Sequence, residues 1–230
     1  MARFWEIDFF RAAAIVMMII FHALFYIDYF GFMELKLYSG VIGRFQMLIP
    51  LIFLAVSGIS SSIYSKNLGN KALLIRGLKL LAIALLITLV TWILFPKDFV
   101  FFGIIHLIAS SIIIASFIKS KNLALILGIA LLLISSGVNN FEVTYKYFSI
   151  LGLKYNNLST FDYYPLIPWL GVFLIGYYIG LRFYWDRTPK IMKNKWVNAF
   201  SLIGRHSLKI YFIHIIALFV FFWLLVKIFP

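Results

Sequence analysis

Long apolar runs, separated by short polar turns, dominate the pattern of this chain. Seven of these runs approach the roughly 20 residues that a helix needs to cross a membrane. They cover residues 9–30, 45–64, 72–95, 100–118, 123–138, 164–184 and 208–229, and the fifth is short. No polar block between them is long enough to fold by itself. The pattern therefore predicts an all-α, polytopic membrane helix bundle that forms a single domain over residues 1–230.

Composition strengthens this prediction. The chain is 63% hydrophobic and 13% charged, whereas a soluble domain has about 25% charged residues. The first apolar run follows Glu6 and Asp8 and has no small-residue cleavage site, so we expect a retained helix and not a signal peptide. The absence of cysteine excludes disulfides and thiolate chemistry.

The distribution of basic residues predicts the orientation. Of the 21 basic residues, fifteen lie at the N-terminus or within 65–79, 119–121 and 182–209, on one side of the predicted bundle. Because positive residues collect on the cytoplasmic side, we expect a cytoplasmic N-terminus and an outside C-terminus in the cell membrane. Attraction to membrane lipids then accounts for much of the net charge of +13, and no nucleic acid is needed.

Two connections between the runs are long. Residues 188–201 are basic and amphipathic, with Trp196 and Phe200 among lysines, so we expect this segment to lie on the inner leaflet. Residues 139–163 are rich in Tyr and Phe and lie on the predicted outer side. Loops of this length are often functional.

Three ionisable residues share one face of the first predicted helix. Asp8, Arg11 and His22 are spaced by 3 and 11 residues, and 11 residues return a helix to within about 20° of the same face. His22 then lies about 16 Å deeper than Arg11. An imidazole at this depth suits a general base. Arg11 either meets an anionic group from the cytoplasm or forms a helix-end ion pair with Asp8.

The other histidines have both functional and structural interpretations. His106 follows FGII near the outer end of the fourth run, where it lines a cavity with His22 or serves as a core residue. Arg205, His206 and Lys209 form a basic corner at the start of the last run, typical of a phosphate site or a solvated helix start. His214, within that run, supports the site or packs in the core.

Asp162 precedes Pro165 at the outer start of the sixth run. It caps that helix, or it provides a carboxylate that orients a catalytic imidazole. No histidine pair shows zinc-helix spacing, so no metal is predicted.

Five short motifs occur in order along the chain: WEIDFFR at 5–11 followed by His22, FLAVSGIS at 53–60, FGIIH at 102–106, DYYPLIPW at 162–169 with Gly171, and GRHSL at 204–208 with Tyr211 and His214. In this order they resemble the heparan-α-glucosaminide N-acetyltransferase catalytic-domain family, including its prokaryotic branch, within the wider class of membrane acyltransferases.

The resemblance implies an enzyme that moves an acyl group, typically acetyl, from cytoplasmic acetyl-CoA to the amine or hydroxyl of a sugar outside. It assigns CoA binding to Arg11, Arg205, His206 and Lys209, and catalysis to His22 with help from His106 and Asp162. Asp8 and His214 support the site. The alternatives are direct transfer, with His22 as base, and an acyl-His22 intermediate. An oligomer is compatible with the sequence.

Two other classes of function also fit these residues. Intramembrane His and Asp form the proton relay of a transporter or flippase for an anionic or glycan-related substrate, although no internal repeat supports this class. The third class is a non-catalytic member of the same fold.

Overall fold

The computed structural model describes residues 4–138, 140–189 and 194–228, and this part of the chain is all-helical. Short irregular segments join the helices, apart from the long connection between α5 and α6, which contains the 3₁₀ helix Lys146–Leu151. A π-helical turn, Gly180–Tyr184, continues α6. The α-helices are α1 (Trp5–Tyr29), α2 (Gly40–Leu68), α3 (Asn70–Leu94), α4 (Ile104–Phe117), α5 (Lys121–Val138), α6 (Leu166–Ile179), α7 (Lys195–Arg205) and α8 (Ser207–Ile228).

Six helices of the described chain are long and apolar enough to cross a membrane, and α4 is a shorter apolar helix. Each predicted run coincides with one of these seven, which confirms the predicted all-helical fold with long apolar helices. The prediction for α4 was wrong at its start, because the run begins at Val100 but the helix begins at Ile104. Residues 98–102 are instead held by another segment: Asp98 O accepts from Phe161 N at 2.9 Å and Phe102 O accepts from Tyr164 N at 3.0 Å.

Contacts divide the chain into two compact units, and the boundary falls within α2. Unit 1 comprises residues 1–53 and 188–230, and unit 2 comprises residues 54–187. Unit 1 has a core around Ile15, Met18 and Phe21, to which Ile203 and Ile210 are added from α7 and α8.

In unit 1, α7 and α8 follow α1 in the same direction. The contacts advance together along the chain: Ser201 Oγ lies 3.4 Å from Trp5 O, and Arg205 Nε lies 3.5 Å from Asp8 Oδ2. Further along, the Phe222 ring lies 6.0 Å from that of Tyr26. If both α1 and α8 cross the membrane, they therefore cross it in the same sense.

Residues 195–201 of the predicted amphipathic segment lie in α7. Residues 190–193 of that segment lie outside the described residues. The helix does not rest on lipid alone, because Phe200 and Ser201 pack against the first turns of α1. Trp196 is 85% exposed and remains available to the interface.

Small residues bring the helices of unit 2 together. Gly58 of α2 meets the backbone of α6 at Phe173, and Gly176 of α6 meets the carbonyl of Ala55. A Cβ on Gly171 of α6 would lie 2.7 Å from Gly128 O of α5. In a membrane, helix association depends on such close packing, because apolar side chains gain little by leaving lipid.

We predict that Gly176→Ala destabilises the protein, because the added methyl group would collide with the Ala55 carbonyl. Overpacking of this kind costs about 1–3 kcal/mol. The matched control is Gly137→Ala in α5, where a Cβ meets nothing within 4 Å, and helix propensity favours alanine. Thermal unfolding in detergent should separate the two variants. Equal unfolding temperatures would contradict the packing described for α2 and α6.

Candidate active site

An ion cluster joins the first turns of α1 to the end of α7. The Asp8 side chain is 3% exposed and lies between two guanidinium groups, with Oδ1 3.2 Å from Arg11 Nη1 and Oδ2 3.5 Å from Arg205 Nε. Gly204 permits this approach, because a Cβ there would collide with the Asp8 carbonyl. Arg205 also donates to Asn198 at 3.4 Å. One carboxylate thus holds two arginines in place.

The basic corner predicted beside this cluster lies at the junction of α7 and α8. His206 and Lys209 are both exposed there, and the His206 backbone ends α7 and begins α8 through bonds to Ile203 and Ile210. Arg205, His206 and Lys209 therefore present a cluster of exposed positive or hydrogen-bonding groups. Anionic oxygens are the ligands that such groups favour.

His22 contacts His214, and this pairing is the main feature that the structure adds to the sequence. The two rings have centroids 4.9 Å apart, and His22 Nδ1 lies 3.4 Å from His214 Nε2. His22 Nδ1 also lies 2.9 Å from the carbonyl oxygen of Met18. A carbonyl only accepts hydrogen bonds, so we assign the ring hydrogen of His22 to Nδ1. Nε2 then carries the lone pair, and it has no hydrogen-bond partner among the described residues.

Aromatic residues surround the histidine pair in unit 1. The Phe21 ring lies 6.0 Å from that of His22, and the Tyr211 ring 5.9 Å from that of His214. Sequence reasoning missed Tyr26, whose hydroxyl donates to Ile215 O at 3.4 Å and ties α1 to α8 one turn beyond the pair. Its position one turn after His22 on the same face was the available signal.

His106 lies in unit 2, where both ring nitrogens have partners. Nε2 is 2.9 Å from Thr88 Oγ1, whose hydroxyl donates to Val100 O at 2.8 Å. Nδ1 accepts from Gly103 N at 3.3 Å. The ring is 3% exposed, and these bonds fix the first turn of α4. Thr88 was missed in the sequence, although a threonine in an apolar run is itself a signal of a polar partner.

Asp162 caps a helix, but not the one that was predicted. Its Oδ2 accepts from Ile104 N at 2.9 Å, so it caps α4. The expected cap of α6 was wrong, since that helix follows Pro165 without a side-chain cap. The pairing of the Phe102 and Tyr163 segments places the carboxylate over the start of α4. Burial raises the pKa of Asp162 to about 6, against the smaller opposing effect of the Ile104 hydrogen bond.

The structure thus groups the predicted residues into two sets. Asp8, Arg11 and Arg205 form one cluster and His22 and His214 a pair in unit 1, while His106 and Asp162 both hold the start of α4 in unit 2. Among the described residues, no group of three His, Cys, Asp or Glu side chains could hold a metal ion.

The family model for the catalytic domain of heparan-alpha-glucosaminide N-acetyltransferase matches residues 3–216. The chain belongs to this family. No curated protein and no protein of solved structure matches it significantly. The family is one of membrane acetyltransferases that use acetyl-CoA as donor and an amine as acceptor.

We predict that Asp8→Asn weakens the union of α1 and α7, because it leaves two guanidinium groups without their shared carboxylate. Removing one partner of a buried ion pair costs about 3–5 kcal/mol, and partial exposure of the arginines reduces this to roughly 2–3 kcal/mol. The control is Glu142→Gln, which removes an exposed ion pair with Lys154. Thermal unfolding should register the first change and not the second; equal effects would contradict the role given to Asp8.

Asp162 should make stability depend on pH. Its carboxyl group binds a proton more tightly in the folded chain than in an unfolded chain, where the pKa is near 3.9. Its contribution is therefore complete below about pH 4 and is lost as the pH rises through about 6.

We expect Asp162→Asn to unfold at nearly the wild-type temperature at pH 4. At pH 7 we expect the variant's unfolding temperature, compared with that of wild type at the same pH, to be higher. Asparagine keeps an oxygen for Ile104 N and never ionises. Measurements of both proteins across this range test the assignment. A constant difference at every pH would contradict it.

Proposed function

We propose that this protein transfers an acetyl group from cytoplasmic acetyl-CoA to the amine or hydroxyl of a sugar outside the cytoplasm. The observation that supports this most is the state of His22. Its Nδ1 is committed to the Met18 carbonyl and to His214, so Nε2 offers a lone pair. A neutral imidazole with one open nitrogen suits both a base and a nucleophile.

The ion cluster of unit 1 supplies the proposed donor site. Asp8 holds Arg11 and Arg205 at fixed positions. We assign these arginines, with His206 and Lys209, to the phosphates of CoA. Arginine pairs well with phosphate because its donors form a planar fork.

Depth along α1 connects the two parts of the proposed site. Eleven residues separate Arg11 from His22, which is about 16 Å along a helix. The parallel course of α7 and α8 along α1 provides both landmarks, Asp8 with Arg205 of α7 and His22 with His214 of α8. A CoA molecule held at the arginines has a flexible pantetheine arm with which to reach inward.

Two chemical routes use the same atom of His22. In direct transfer, Nε2 takes the proton of the acceptor as the acceptor attacks the thioester, and CoA leaves as its thiolate. In the two-step route, Nε2 attacks the thioester, the C–S bond breaks and CoA leaves as its thiolate, and a C–N bond holds the acetyl group. The acceptor then displaces His22 from the acetyl group, and its proton passes to the thiolate or to solvent. Label on the isolated protein distinguishes the second route from the first.

For the acceptor we propose a role for His106 and Asp162 at the outer end of unit 2. A carboxyl group with a pKa near 6 changes its charge close to neutral pH, which suits proton exchange with an amine or hydroxyl. Both ring nitrogens of His106 are engaged in hydrogen bonds, which supports a role for His106 in positioning the groups around it.

The proposed orientation places the N-terminus in the cytoplasm and the C-terminus outside, in the cell membrane. The positive-inside bias supports it, as does the common direction of α1 and α8. We propose that the two units act as one domain, with sugar acceptor and lipids as partners.

The test is transfer of radiolabelled acetyl from acetyl-CoA to amino sugars by protein in permeable proteoliposomes. We expect wild type to acetylate the acceptor and His22→Ala to lose roughly 10²–10⁴-fold in rate, as expected for a general base. The control is Tyr38→Phe, which removes only the hydroxyl of an exposed side chain and keeps the ring that lies 6.2 Å from the ring of Phe21.

Three outcomes are informative. Label transfer that persists in His22→Ala would contradict the role of His22. A folded wild type that neither binds nor consumes acetyl-CoA would contradict the enzyme. Proton-coupled anion uptake in that case would support a transporter.

A further inference from the structure

His214 is held more firmly than His22. It is 5% exposed, and its Nδ1 lies 2.7 Å from Tyr211 O and 3.1 Å from Ile210 O. Both partners are carbonyl oxygens, so Nδ1 carries the hydrogen. Nε2 of His214 is then an acceptor, and it points at Nδ1 of His22 across 3.4 Å.

The backbone of α8 therefore fixes a lone pair beside the ring hydrogen of His22. That hydrogen has two acceptors, the Met18 carbonyl of its own helix and the His214 ring of α8. The first orients His22 only relative to α1. The second ties the ring to another helix, and it stabilises the positive charge that His22 acquires when Nε2 takes a proton or an acyl group.

We infer that His214 is a positioning residue for the reaction of His22: its Nε2 accepts the Nδ1 hydrogen and thereby directs Nε2 of His22 to the reacting atoms. The role corresponds to that of the carboxylate that orients the histidine of a catalytic triad, although here the acceptor is neutral. This inference rests on the proposed function, because it assigns a task within the same transfer. It assigns no contact between His214 and either substrate.

Other groups near the pair do not replace His214. The Tyr26 hydroxyl donates to Ile215 O, and the Tyr211 ring lies 5.9 Å from the ring of His214. The charged Asp8, Arg11 and Arg205 belong to the cluster at the other end of the site. Among the described contacts of His22, only His214 provides a side-chain acceptor for Nδ1.

Two amides of different length test the inference. In His214→Gln, the amide oxygen reaches about as far as Nε2 and can accept from His22. In His214→Asn, the same amide is one methylene shorter and corresponds to Nδ1, so it cannot reach. Ile213→Ala is the control, because that neighbouring side chain is 64% exposed.

We expect His214→Asn to lower kcat roughly 10–100-fold, the usual effect of losing a partner of this kind, while KM for acetyl-CoA stays within about twofold. His214→Gln should retain kcat within about fivefold of wild type. Equal loss in both amides, or no loss in Asn, would overturn the inference.

A second readout does not require acetyl transfer. Diethyl pyrocarbonate acylates unprotonated imidazole nitrogens, and mass spectrometry of the purified protein gives the rate at His22. We expect this rate to be lower in His214→Asn than in wild type and His214→Gln. If wild type shows no acetyltransferase activity but this order holds, the proposed function fails, while the orientation of the His22 ring by His214 stands. If the rate of modification at His22 is the same in wild type and in both His214 variants, the inference fails, whether or not the protein has acetyltransferase activity.

Discussion

Polar groups inside an apolar bundle need partners, because hydrocarbon offers none, and this constraint organises unit 1. Asp8 and His22 lie on one face of α1, and each meets a partner on the chain segment that follows it in parallel, Arg205 on α7 and His214 on α8. Removal of either partner would leave a polar side chain of α1 without its neighbour from the other helix. The contacts that hold these helices together are therefore also those that build the candidate site.

Unit 2 meets the same constraint by different means. Its helices approach through glycines at Gly58, Gly176 and Gly171, so that their backbones pack closely. Two of its buried polar groups, His106 and Asp162, lie at the start of α4, where they accept from the successive backbone N–H groups of Gly103 and Ile104. The first unit thus carries ionisable side chains on neighbouring helices, and in the second unit such side chains hold the start of α4.

The sequence predicted features that depend on neighbouring residues, and it did not predict contacts between residues that are distant in the chain. Apolar length predicted every long helix, and helical spacing placed Asp8, Arg11 and His22 on one face. Spacing could not reveal that His22 faces His214, because the two lie 192 positions apart in the chain. The start of α4 and the helix capped by Asp162 also depended on long-range pairing, between the segments before α4 and α6. A local preference for capping the following helix therefore misled the prediction.

The central claim is that acetyl-CoA enters at the Arg11–Arg205 end and that the acetyl group leaves on the other side. Sealed vesicles with the donor on one side and an amino sugar on the other test this most directly. The chain lacks cysteine, so Lys154→Cys, at an exposed lysine of the predicted outer loop, reports orientation through an impermeant maleimide. The account predicts acetylated sugar only when the donor is on the side opposite Cys-labelled residue 154. Equal product from either side, or product only with donor and acceptor on the same side, would contradict it.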